Sequence, residues 1–334
     1  MTTAPPRRTT TAAEFWQHWL PAVERLVPVP EEHRSATVAH EEAARELALD
    51  PDVLEHLVGA GFPAEDTPGG LRYDYHDVMN LGLQSGLGRS LAELGERQCM
   101  RLAAGQPEGW LTERVTRIRL TATCDAAGCS SCVTPPVPAE PAPKLYEGRL
   151  TEWAKDPERP DSMLATVTTR GHRDAPRTDT VRRIHDDLLD RLVSGEYQYG
   201  WVPEALRSRP AEAIGHRAVD CVVAAWQMQK WAEEAGVRAR TRRGFLLGLV
   251  GVEHAWTEVF EEGRWLLLDP VLAYLGSRHK ATHPEFADFT RGSVHNRLLV
   301  WDRSVDESLA DHDCVAGGHV RVDCRQLPAA RTPA

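Results

Sequence analysis

Long apolar runs are missing. No stretch of the 334 residues approaches the ~20 consecutive apolar residues that cross a bilayer, and the best candidate, residues 245–252, is short and broken by glycine. Residues 1–15 hold prolines, arginines and threonines but no apolar core of a secretory signal, so the expected location is the cytoplasm. Positive charge is in deficit: 39 Lys and Arg stand against 49 Asp and Glu, a net charge of −10, which argues against a broad attraction to nucleic acid or to an anionic membrane. Lysine is scarcest, four of those 39, and this arginine and alanine richness reads as a GC-rich coding bias rather than as function. An even number of cysteines is missing too. Seven thiols in a chain with no export signal suit chemistry or metal binding better than a disulfide framework. No repeat of solenoid length occurs. What remains is ordinary globular composition, 42% hydrophobic and 26% charged, and a length that suggests two packed units.

The sharpest shift in composition is at residues 133–143, where five prolines fall within eleven positions and neither a helix nor a central strand can persist. This places a mostly helical module at 1–133, a linker at 134–144, a second domain at 145–325 and a frayed tail at 326–334. In the first module, residues 40–49 and 51–59 read as short helices joined at Asp50-Pro51. A turn follows at Pro68-Gly69-Gly70, and helical spacing resumes over 73–83 with Tyr75, Val78, Met79 and Leu83 on one face. Residues 34–83 so patterned resemble the helix-turn-helix of MerR-type regulators, which implies DNA binding. Ten acidic residues against Arg34, Arg45 and Arg72 over 34–77 give a local net charge of 3 − 10 = −7, which opposes contact with phosphates. Docking to a carrier or another protein suits this module better than nucleic acid.

Cys124, Cys129 and Cys132 form C-x4-C-x2-C after an alternating segment, residues 115–123, that reads as a strand. Closely spaced cysteines can present thiolates to one tetrahedral Zn²⁺. A structural zinc is the metal this spacing would take, with Cys99, Cys314, His319 or Cys324 as the candidate fourth ligand; iron–sulfur ligation suits it less, and unliganded thiols are an equal alternative. His312, in the acidic stretch 302–313, reads as a surface residue.

The strongest signal lies between Asp220 and Pro270. Asp220 reads as the N-cap of a helix running to Glu234 and ended at Ala235-Gly236, with Cys221 its first residue. Backbone N–H groups and the dipole at that end favour a thiolate over a thiol. Downstream, residues 254–260 and 265–269 flank a turn and read as a hairpin. If Phe260 faces Trp265, then Trp256 faces Asp269, and His254 becomes the diagonal same-face neighbour of that carboxylate. The ordinary alternatives are a core cysteine, a sheet histidine and an aspartate turn former.

Asp220-Cys221, His254-Ala255-Trp256-x-Glu258 and Gly263-Arg264-Trp265 through Asp269-Pro270 resemble the transglutaminase-like superfamily over about 130 residues. The family's small glycine before the Asp-Cys pair is Val219 here. The resemblance implies an α+β, papain-like fold with an antiparallel sheet and a nucleophile at a helix N-terminus. It implies Cys221 as nucleophile, His254 as base and proton donor, and Asp269 as the group that orients the imidazole, with no cofactor needed for catalysis. The reaction class is acyl transfer through a thioester acyl-enzyme. The donor would be a peptide, an amide or a carrier-bound thioester, with natural-product assembly one setting, and the acceptor an amine or water. The N–H of Cys221, with Gln198 or Trp201, would supply an oxyanion hole. The alternatives are a cysteine protease or amidase, and a non-enzymatic regulatory or scaffold protein.

Overall fold

The computed structural model describes residues 11–124, 133–136, 146–159, 161–248, 251–305, 307–312, 314 and 319–328. Residues 11–97 carry β1 (Ala36–Ala39), β2 (Glu65–Thr67) and β3 (Gly70–Asp74). Residues 98–190 carry β4 (Arg114–Thr123), β5 (Val133–Thr134), β6 (Glu147–Leu150), β7 (Ala154–Lys155) and β8 (Ser162–Arg170). Two short strands follow, β9 (Gln198–Tyr199) and β10 (Ala218–Val219). The remainder holds β11 (Ala239–Leu247), β12 (Gly251–Glu261), β13 (Arg264–Leu268), β14 (Arg291–Gly292), β15 (Leu298–Trp301), β16 (Asp311–His312) and β17 (His319–Leu327). The architecture is α+β: among the described residues all pairings of the named strands are antiparallel except β9 with β10. Among the described residues no helix is long and apolar enough to cross a membrane.

Contacts divide the chain into 1–97 with 191–223, and 98–190 with 224–334. The division does not follow the proline-rich stretch expected to separate 1–133 from 145–325. The reason is strand pairing: β4 bonds to β8 along eight residues and to β17 along nine. Backbone groups of a ten-residue strand must find partners, and those of β4 find them beyond the prolines.

The first unit is less helical than its periodicity suggests. The helices His40–Leu47, Pro51–Gly59 and Tyr75–Gln84 are there, but they pack with the sheet β1–β3–β2. Pro68-Gly69 turns β2 into β3, with Thr67 facing Gly70. Strands of three to five residues are too short to give a readable alternation. Leu47, Leu54, Leu57, Tyr73 and Val78 fill its core.

In the second unit the sheet β14–β13–β12–β11–β15 and the sheet β17–β4–β8–β6, with β7 on β8, share one apolar cluster. Phe245, Leu247, Leu299 and Trp301 of the first meet Ile118, Leu120, Val167 and Val322 of the second. The hairpin β12–β13 closes on Glu262-Gly263, both with positive φ (48° and 83°), the pattern of a two-residue I′ turn. That turn sets the register as Phe260 opposite Trp265 and Thr257 opposite Leu268.

Candidate active site

The helix Cys221–Glu234 begins where the Asp220 carboxylate accepts a hydrogen bond from the Val223 N–H at 2.8 Å, an N-cap worth about 1 kcal/mol. It ends where the Val237 N–H returns to the Ala232 carbonyl and Gly236 adopts φ +73°, a Schellman-type stop that glycine makes without strain. Cys221, in the first unit, is therefore its first helical residue, half-buried. Sequence reasoning missed Arg207. Its guanidinium lies 3.8 Å from the Asp220 carboxylate; burial works against its charge, but Asp220, Glu204 and Cys221 together hold it more firmly protonated than usual.

Farther along, in the second unit, the Ala225 carbonyl accepts from the Thr257 hydroxyl of β12 at 2.7 Å. Gln229 accepts from the Thr241 N–H of β11 at 2.8 Å. The body of the helix is thus tied to the two strands at the middle of the β14–β15 sheet.

His254 and Asp269 are both buried, with Nε2 of the ring 2.6 Å from one carboxylate oxygen. With Nε2 turned to the carboxylate, Nδ1 is the ring nitrogen on the side away from Asp269. Asp269 does not end a plain turn. It caps the helix Pro270–Ser277, its other oxygen accepting from the Leu272 N–H at 3.1 Å, and its own N–H donates to the Thr290 carbonyl at 3.0 Å. Pro270 stops the strand and, at the first helical position, needs no N–H partner. One carboxylate is fixed on one side by a helix and aimed on the other at an imidazole.

Alternation along β12 puts His254, Trp256 and Glu258 on one side of the strand. The Trp256 ring lies 5.9 Å from that of His254, tilted by 33°, and its N–H donates to the Tyr146 hydroxyl at 2.6 Å. Tyr146 in turn donates to Glu258 at 2.7 Å. Glu258 is fully buried and neutralised by Arg240 at 2.6 Å and Arg242 at 3.4 Å, so its burial is compensated. Trp265 is stacked under Arg240, 4.0 Å from the ring centre, a packing role.

Gln198 is not available as an oxyanion donor through its side chain: its amide donates to the Arg25 carbonyl and accepts from the Val27 N–H. The Trp201 N–H is likewise taken, by Asn80 at 2.6 Å. Of the expected metal ligands, Cys129 and Cys132 lie outside the described residues. Cys124 gathers with His312 and Cys314, their ligand atoms within 4.8 Å of one another. His312 is therefore no plain surface residue. Cys324 is buried against β4, its thiol pushed up to about 12 by that burial. Neither it nor Cys99 joins the group.

No protein-family model and no curated protein matches the chain. A solved structure from Cytophaga hutchinsonii, named a "Putative Cysteine Protease", is similar at 14% identity and a TM-score of 0.32, over 66% of this chain and 93% of that one. A likeness so slight carries no weight for fold or chemistry, and nothing in the comparisons supports the helix-turn-helix resemblance.

Proposed function

We propose that the protein is a cysteine-dependent acyl-transfer enzyme of the transglutaminase-like kind, with Cys221 as nucleophile, His254 as general base and acid, and Asp269 as the residue that positions the imidazole. The observation that carries this reading is the buried 2.6 Å His254–Asp269 hydrogen bond, on a carboxylate held from behind by a helix N-terminus. Cys221 at the capped start of its own helix, with Arg207 coupled to it, supplies the other half. The thiolate attacks an acyl carbonyl, the leaving group takes a proton from Nδ1 of His254, and a thioester forms. Attack by an amine or by water then returns the proton to the ring and frees the cysteine, giving an amide or an acid. Asp269, fixed by the Leu272 N–H, stays aimed at the ring and steadies the imidazolium without itself taking the proton. The substrates we propose are a peptide, amide or carrier-bound thioester as donor and an amine or water as acceptor, with a protein partner docking on the acidic first unit.

The test is acylation by an activated ester, followed by intact and peptide mass spectrometry. One acyl group per chain, on Cys221, lost in Cys221→Ala and formed at least ~100-fold more slowly in His254→Ala, is the expected result. An unmodified Cys221 under conditions that acylate other thiols overturns the proposal. Adding primary amines to the acyl-enzyme then separates transfer from hydrolysis.

A further inference from the structure

Two β-pairings of the second unit converge on one place. The chain leaves β4 at Thr123, whose partner across the ladder is His319 at the start of β17. It resumes at Val133 in β5, whose partner is His312 in β16. Cys124 follows the first pairing directly and Cys314 lies two residues beyond the second, so the two pairings bring together positions 190 apart in sequence. The Cys314 N–H donates to the His312 carbonyl at 2.9 Å, a tight turn that keeps these two residues side by side. The result is a group of two thiol sulfurs and one imidazole nitrogen, all within 4.8 Å of one another and all half-buried.

The distances and the donor types together narrow the chemistry. The Cys124 and Cys314 sulfurs are 3.4 Å apart, far beyond the ~2.05 Å of a disulfide. That is near the ~3.8 Å edge of a tetrahedron drawn with Zn–S bonds of about 2.3 Å. Two thiolates and an imidazole are a borderline-soft donor set, which suits Zn²⁺ over Ca²⁺ or Mg²⁺, whose ligands are oxygens, and over an all-thiolate iron–sulfur cluster.

We propose that Cys124, His312 and Cys314 bind one structural Zn²⁺, clamping the end of the β4–β17 pair to the β5–β16 pair. The ion takes the two cysteines as thiolates, releasing their protons, and one nitrogen of neutral His312, which fill three of the four positions of a tetrahedral site. This site is separate from the acyl-transfer residues and does not depend on that reading.

The experiment uses the full chain, purified under reducing conditions. Its metal content is measured, the metal is removed, and Co²⁺ alone is titrated in as a spectroscopic probe. The expected result is one tightly held zinc per chain and, on cobalt addition, tetrahedral ligand-field bands with thiolate-to-cobalt charge transfer. Cys314→Ser weakens both the charge transfer and zinc affinity, the latter by at least ~10-fold, since even loss of an outer-shell partner costs that much. His312→Cys retains the metal and strengthens the charge transfer, a gain that no unfolded variant gives. A reduced wild-type chain that binds no zinc above micromolar affinity, a Cys124–Cys314 disulfide in its place, or a cobalt spectrum identical in wild type, Cys314→Ser and His312→Cys each overturns the proposal.

Discussion

His254 and His312 lie in the same unit on opposite kinds of support. His254 sits within an eleven-residue strand and receives its carboxylate from the residue directly after the hairpin's second strand, fifteen residues on. Ladder bonds on both sides of that strand, and a helix behind the carboxylate, hold the pair before any substrate arrives. His312 sits on a two-residue strand paired with another of two residues, beside the sulfurs of Cys124, next after β4, and of Cys314, two residues farther on. A group fastened through long strands is pre-organised, and a group at short strand ends is held together by what it binds. The first arrangement suits proton transfer, which depends on fixed geometry, and the second suits a structural ion.

Asp269→Asn breaks the first arrangement without touching the second. An asparagine still caps Leu272 through its amide oxygen, but its NH₂ cannot hold Nε2 of His254 as a donor. We expect the acylation rate to fall by about 10⁴-fold, the size of effect a wrong imidazole tautomer has in a triad, while the thermal midpoint and cobalt spectrum stay as in wild type. A thermal collapse with no kinetic change in the folded fraction would make Asp269 a helix cap alone. Zinc removal is the converse probe: chelation lowers the thermal midpoint, and the Cys221 acylation rate measured below that midpoint changes by less than about twofold. A parallel loss of acylation would mean that the clamp organises the acyl-transfer residues as well.

The smallest effect is on stability against pH, and its sign differs between the units. In the first unit Asp77 is pushed up to about 6, chiefly by burial, against the lowering influence of its bond from the Val29 N–H. Its folded value lies above the unfolded ~3.9, so the stabilisation it gives is complete below pH 4 and is lost as pH rises through 6. Asp77→Asn should therefore gain roughly 2 kcal/mol relative to wild type between pH 4.5 and 7.5. In the second unit His185, 3.3 Å from the Thr290 hydroxyl behind Asp269, is pushed down by burial more than Asp186 lifts it. The unfolded chain then takes up protons first, and stability falls as pH drops below about 6.5. Denaturant titrations of Asp77→Asn and His185→Gln across that range should show opposite slopes against wild type; equal slopes would remove the contrast.

The hairpin register was legible because it depends on local counting: Glu262-Gly263 fixes Phe260 opposite Trp265, and the position of Asp269 relative to His254 follows. The Asp220 cap and the Gly236 stop were legible for the same reason. Cys314 was one of several equal candidates, and His312 read as surface, because nothing within ten residues of either indicates that β16 pairs with β5. The short strands β1 to β3 were hidden among strong helical periodicity. The proline-rich stretch and the division by contacts fall at different places, because composition reports where a chain cannot be regular, not where its contacts part. Arg207 carried no motif, and only its proximity to Asp220 singles it out.

The most direct test is the rate of iodoacetamide alkylation at Cys221, resolved by site at pH 6.5, in wild type and in His254→Ala. Cys221 is expected to react at least ~10-fold faster than Cys99, and removing His254 to slow it by about 10-fold as the thiolate loses its partner. A Cys221 no faster than Cys99 and indifferent to His254 would contradict the proposed triad.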